Sequence, residues 1–229
     1  MTTVLITGAN RGIGLEFVRQ YAAEGARVHA CCRHPDKAHD LRRIAEGRDV
    51  VVHPLDVADQ QSIRDLAEAF DDEAVDILVN NAGVYGNGSQ DFGKIDYDEW
   101  ERVLRTNTIG PYRVVEALAD RIAASEMRRI ANISSGAGSI ADNTAGNSYV
   151  YRSSKTALNM VVVNLARDLA EHGITVLALC PGWVRTDMGG QDAKLTPADS
   201  VAGLRRVIAG ADLTQSGKFF RYNGNPVPW

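Results

Sequence analysis

Short apolar runs alternate along this chain with longer segments in which apolar positions recur every three or four residues. The runs fall at 4–7, 27–32, 50–54, 77–80, 129–134, 174–180 and 217–222, and each is bounded by Gly, Pro, Asn or Asp. Between them the helical period predicts helices over roughly 12–24, 36–46, 60–72, 97–123, 148–172 and 198–210. Strands that are apolar on both sides must be covered on both faces, and strands alternating with helices read as a parallel sheet. The predicted fold class is α/β: a doubly wound parallel sheet of about seven strands with helices on both faces. No repeat, low-complexity tract or linker divides the chain, so residues 1–229 form a single expected domain.

The turn after the first run carries chemistry. It reads Thr-Gly-Ala-Asn-Arg-Gly-Ile-Gly over 7–14. Gly8 permits a tight turn, while Gly12 and Gly14 let the backbone approach a pyrophosphate held at the N-terminus of the next helix. This is a Rossmann-type arrangement, and Asn10, Arg11 and Ile13 lie within the same loop. The spacing is Gly-x-x-x-Gly-x-Gly, which departs from the usual dinucleotide fingerprint. Cofactor choice is readable at the end of the second run. An NAD site needs a carboxylate there for the ribose 2′-hydroxyl, but this chain has Cys32 followed by Arg33. A guanidinium suits a 2′-phosphate, which a carboxylate would repel. NADP(H) is therefore expected, with NAD(H) the less favoured cofactor, and Arg11 is a candidate second cation.

Tyr151 and Lys155 stand one helical turn apart, on one face of a predicted helix. An ammonium close to a phenol favours the phenolate, which brings a tyrosine within range of acid–base work near neutral pH. Tyr149 is followed four residues later by Ser153 and lacks such a partner.

Taken together these segments resemble the short-chain dehydrogenase/reductase family, over essentially the whole chain. Further segments match in order: Leu55-Asp56-Val57, Asn80-Asn81-Ala82-Gly83, Asn107, Ile133-Ser134-Ser135 and Pro181-Gly182-Trp183-Val184-Arg185-Thr186. The resemblance implies that Asp56 and Val57 meet the adenine and that Asn81, Ala82, Gly83, Pro181, Gly182, Val184 and Thr186 line the cofactor, with Tyr151 and Lys155. It implies a catalytic set of Asn107, Ser135, Tyr151 and Lys155. Tyr151 would be the general acid/base and Ser135 would polarise the substrate oxygen. Lys155 would lower the tyrosine pKa and bind the nicotinamide ribose, and Asn107 would position a water. Ser134 and Ser139 are rivals to Ser135, which ends the strand in the family's Ser-Ser pattern. The segments 138–144 and 181–190 and the ending Val227-Pro228-Trp229 are similar to the C-factor and sniffer-like carbonyl reductase group. That likeness implies NADPH-dependent reduction of an aldehyde or ketone. It leaves open a C-factor-like signalling or nucleotide-sensing protein on the same fold.

The formal charge of −4 argues against nucleic acid or an anionic membrane surface as partner. Cys31, Cys32 and Cys180 are odd in number and lack metal spacing, so no metal site is expected and reduced core thiols in a cytoplasmic protein are. Val4 begins the first strand without a leader-like segment before it, and no apolar stretch approaches the roughly 20 residues of a membrane span. The expected partner is a small carbonyl or alcohol substrate, with Val84, Tyr85, Ile140, Asn143, Trp183 and Met188 at the rim. A stripe of Ala157, Val161, Leu165 and Leu169 on the outward face of the catalytic helix fits a homodimer or homotetramer.

Overall fold

The computed structural model describes residues 1–70 and 73–229. The strands are β1 (Thr3–Thr7), β2 (Arg27–Cys32), β3 (Val50–Pro54), β4 (Ile77–Asn80), β5 (Arg129–Ile133), β6 (Thr175–Cys180) and β7 (Phe219–Arg221). The helices are α1 (Gly12–Ala23), α2 (His39–Ala45), α3 (Gln60–Ala69), α4 (Tyr97–Leu104), α5 (Gly110–Ala123), α6 (Tyr149–Asp168) and α7 (Pro197–Gly210). All seven strands pair in parallel in the order β3-β2-β1-β4-β5-β6-β7. The predicted end of the third helix, residues 71 and 72, lies outside the described residues.

Alternate residues of each strand feed opposite layers of the core. Val4 and Ile6 join the layer that includes Phe17, Leu41 and Leu204. Leu5 joins the layer of Leu66, Leu118 and Val162. Both faces are thereby closed, as a parallel sheet requires. Sequence order reverses between β1 and β4, and ligands of such sheets bind outside the carboxyl ends of the strands at that switch. The local signals are ordinary: Asp96 accepts from the N–H groups of Asp98 and Glu99 to cap α4, and Thr196 caps α7 ahead of Pro197.

Two expectations need correction. The helix predicted over 97–123 is interrupted by a wider turn at Arg105–Ile109, with the five-residue bonding of a π-helix. Pro111 has no N–H to give the carbonyl four residues back, which is that of Asn107. Such turns concentrate at functional sites. The stripe on α6 faces inward: Leu165 is buried, and Val161 and Leu169 pack on the core beside Val162 and Ala166. The side turned to solvent presents Met160 instead.

Candidate active site

A cleft of about 600 Å³ opens at the β1/β4 switch. Its floor is the glycine turn, where Gly8 (φ 66°) and Gly12 (φ 54°) adopt the left-handed conformation. A Cβ on Gly8 would come within 2.8 Å of the Ala82 Cα, so the turn and the segment after β4 interlock. Asn81 holds that junction. Its Nδ2 donates to the carbonyls of Thr7 (2.9 Å) and Gly8 (3.1 Å), while the N–H groups of Asn81 and Ala82 both donate to Thr7 Oγ1 at 3.0 Å. No side chain caps the N-terminus of α1, which leaves its first amides free for an anion at the positive end of the helix dipole.

One end of the cleft is basic. β2 ends at buried Cys32, and Arg33, His34 and Lys37 follow along the wall. Asp56 lies opposite with its Oδ1 accepting the Ala58 N–H at 2.9 Å, which fixes the turn after β3. The uncapped helix, the glycine cradle and these cations fit a dinucleotide bearing an extra phosphate.

Tyr151 and Lys155 lie at the other end. Lys155 is buried, and its Nζ donates to the Ile133 carbonyl at 2.8 Å. That ammonium stands 5.9 Å from the Tyr151 ring centroid. Burial pushes Tyr151 up to about 12, with a hydrogen bond to Ser135 pulling the other way. Burial also pulls Lys155 down to about 8. The lysine reaches to the strand while staying beside the tyrosine ring, and both groups are desolvated. Asn107 is wholly buried in the wide turn. It accepts from the Val84 N–H and donates to the Val84 carbonyl, both at 2.8 Å, and donates to Ser154 Oγ at 3.0 Å. Its side chain thereby ties Val84 and Ser154 together in the wall of the site.

The three serines are set apart by their bonds. Ser134 is buried and donates to Asn159 Oδ1 at 2.6 Å; Ser139 is buried and donates to the Pro228 carbonyl at 2.6 Å. Ser135 Oγ accepts the Ala137 N–H at 3.1 Å and, alone of the three, is hydrogen-bonded to the Tyr151 hydroxyl.

A family model described as short chain dehydrogenase matches residues 2–195. The chain belongs to the short-chain dehydrogenase family. Among curated relatives it is 46% identical to C-signal of Myxococcus xanthus over 155 residues, covering 68% of this chain and 93% of that one. It is 35% identical to 1-hydroxy-2-glutathionyl-2-methyl-3-butene dehydrogenase of Rhodococcus sp. (strain AD45), over the full length of both. Among solved structures, the NADPH-bound carbonyl reductase from chicken fatty liver superposes with a TM-score of 0.94 at 34% identity, covering 100% of this chain and 99% of that one. The carbonyl reductase Sniffer of D. melanogaster gives 0.93 at 31% identity with full coverage of both.

Most residues expected of a member of this family line the cleft: Gly8, Asn10, Arg11, Gly12, Ile13, Arg33, Asp56, Val57, Asn81, Ala82, Gly83, Tyr151, Lys155, Pro181 and Thr186. Gly14, Asn107, Ser135, Gly182 and Val184 do not. Gly14 packs beneath the turn, where a Cβ would overlap the Gly8 carbonyl oxygen, and Val184 is buried. Arg11 is paired with Asp187 at 2.9 Å, joining the glycine turn to the loop after β6. Lys37 is the basic residue the sequence reading passed over. Gln90 was also missed: its Oε1 accepts the Tyr151 N–H (2.9 Å) and its Nε2 donates to the Tyr85 carbonyl (2.9 Å). It does the capping that Ser148, held left-handed at φ 49°, does not. No sequence pattern marks a loop glutamine that reaches a helix across 61 residues.

At the rim the Tyr85 ring packs against Tyr151, 4.9 Å between centroids and tilted by 35°, and shares a 2.9 Å hydrogen bond with Ser148. Ile140, Trp183 and Met188 are more than half exposed. The three cysteines are buried and unpaired. Among the described residues no helix is long and apolar enough to cross a membrane.

Proposed function

We propose that this chain is an NADP(H)-dependent carbonyl reductase that converts an aldehyde or ketone to an alcohol, and the reverse. The observation that carries the reading is a single cleft with Arg33 and Lys37 at one end and the half-buried Tyr151 beside the buried Lys155 at the other. Carbonyl reductases of closely similar fold, crystallised with NADP or NADPH, support the cofactor. When bound, NADPH supplies the hydride. The amides of α1 would hold its pyrophosphate, Arg33 its 2′-phosphate, and Lys155 its nicotinamide ribose.

Ser135, beside the Tyr151 hydroxyl, would donate its hydrogen to the substrate oxygen, polarising the carbonyl. Tyr151 gives its proton to the same oxygen as negative charge develops there, and burial keeps that proton in place at neutral pH. Lys155 is the nearby cation that favours the resulting phenolate, and the cost of keeping it charged in a buried site is what lowers its own pKa. Asn107 holds Val84 and Ser154, and so fixes the wall against which the pair sits. The exposed Tyr85, Ile140, Trp183 and Met188 favour aromatic or medium-sized carbonyl compounds over small polar acids. We also propose a cytoplasmic enzyme that works as a homodimer or homotetramer.

A signalling role is the second reading, with the likeness to C-signal in its favour. The retained Tyr151–Lys155 pair favours turnover. Following NADPH absorbance against a panel of aromatic and aliphatic aldehydes and ketones, with NADH in parallel, tests the proposal. Oxidation of NADPH by an aromatic carbonyl is expected. A protein that binds NADPH yet turns over no carbonyl in the panel would contradict it.

A further inference from the structure

We propose that Asn159 is a positioning residue that docks the Ser135 loop onto the catalytic helix and so sets the serine hydroxyl in register with Tyr151. This rests on the reading of Ser135 given above. Asn159 lies one turn beyond Lys155 and two beyond Tyr151, on the same face of α6. It is 3% exposed, and both ends of its amide are used. Nδ2 donates to the Gly138 carbonyl at 3.1 Å, and Oδ1 accepts from Ser134 Oγ at 2.6 Å. A carbonyl can only accept, so the amide orientation follows from its partner.

Those partners bracket Ser135: one immediately precedes it and the other stands three residues after it. The serine's own Oγ accepts only from within its turn, at Ala137. Whether its hydroxyl meets Tyr151, to which it is hydrogen-bonded, therefore depends on how the turn as a whole meets α6. Gly138 touches the helix closely, since a Cβ there would lie 2.8 Å from the Lys155 carbonyl carbon. Thr156 Oγ1 donates to the same Gly138 carbonyl at 3.0 Å, and Lys155 secures Ile133 on the far side. Asn159 is the side chain that spans the loop, holding both the residue before Ser135 and the carbonyl after it.

A buried asparagine that merely satisfied its neighbours would affect folding and leave the serine's contribution intact. A double-mutant cycle separates the two. Asn159→Ala should lower kcat about tenfold and Ser135→Ala about 10²-fold or more, the range of a lost oxyanion donor. The double variant should be no slower than Ser135→Ala within about twofold, because a clip has nothing left to position. NADPH affinity, read by fluorescence without substrate, should stay at the wild-type value. The basic limb of the pH profile for reduction should move up in Asn159→Ala, since the bond from Ser135 is what lowers Tyr151. If Asn159→Ala is too unstable to assay, Ser134→Ala, which removes the other half of the clip, should show the same non-additivity with Ser135→Ala. A further tenfold loss in the double variant, or an Asn159→Ala enzyme with wild-type kcat and pH profile, would overturn the proposal. Full turnover by Ser135→Ala alone would instead sink the role of the serine, and the clip with it.

Discussion

Replacing Lys155 with Met removes a buried ammonium while keeping an unbranched stem, and it should erase a pH dependence of stability that the wild type carries. Burial lowers Lys155 from 10.5 to about 8 in the folded chain. Between those values the unfolded state binds more protons than the folded one, so the stability of the wild type climbs as pH rises. The destabilisation is present in full below about pH 8 and is relieved by about pH 10.5. At about 1.4 kcal/mol per pH unit the gap amounts to about 3 kcal/mol. Urea unfolding of both proteins without cofactor, at pH 7, 8, 9 and 10, measures it. The unfolding free energy of wild type minus variant should rise by 2 to 3 kcal/mol over this range (about 1.4 per unit, mostly above pH 8). Tyr21 and Tyr151, both pushed up to about 12, act only at higher pH and are shared by the two proteins. A difference that stays flat with pH would refute the reasoning, because Lys155 would then titrate alike in both states.

Gly14→Ala places a methyl group on the Gly8 carbonyl, so thermal melting should show a loss of about 1–3 kcal/mol and NADPH affinity should fall; unchanged values of both would mean the turn yields freely. Arg33→Asp removes the phosphate partner and offers a carboxylate to a ribose hydroxyl, so the NADPH/NADH ratio of kcat/KM should fall by at least about tenfold, and an unchanged ratio would count against Arg33. Light scattering at micromolar concentration should give a multiple of the 24.8 kDa chain mass, and the chain mass itself would sink the assembly proposal.

The sheet was legible because its signal is local: apolar runs bounded by breakers, with the central strands buried on both faces. Strand bounds from sequence match to within two residues, as at 217–222 against Phe219–Arg221. The wide turn at Arg105–Ile109 was not legible, although Pro111 stood in view, because a proline inside a helical pattern does not say how the preceding turn will adjust. Likewise α6 carries apolar residues on more than one side, so periodicity alone could not choose which stripe meets the sheet. At the site, residue types that chemistry demands were found by motif: Gly8, Arg33, Tyr151 and Lys155. Residues that work by reaching across the fold were not. Gln90 and Asn159 are polar side chains whose partners lie 61 and 21 to 25 residues away, and only tertiary packing reveals them. The direction in which Lys155 points, toward Ile133, is another such fact.

The central claim is that Tyr151 supplies the proton in a carbonyl reduction, and Tyr151→Phe tests it most directly. The substitution keeps the ring that packs against Tyr85 and deletes the hydroxyl alone. With a carbonyl substrate from the panel at saturating NADPH, kcat should fall by at least about 10²-fold while the NADPH dissociation constant stays within about twofold of wild type. A Tyr151→Phe enzyme that turned over at the wild-type rate would contradict the account.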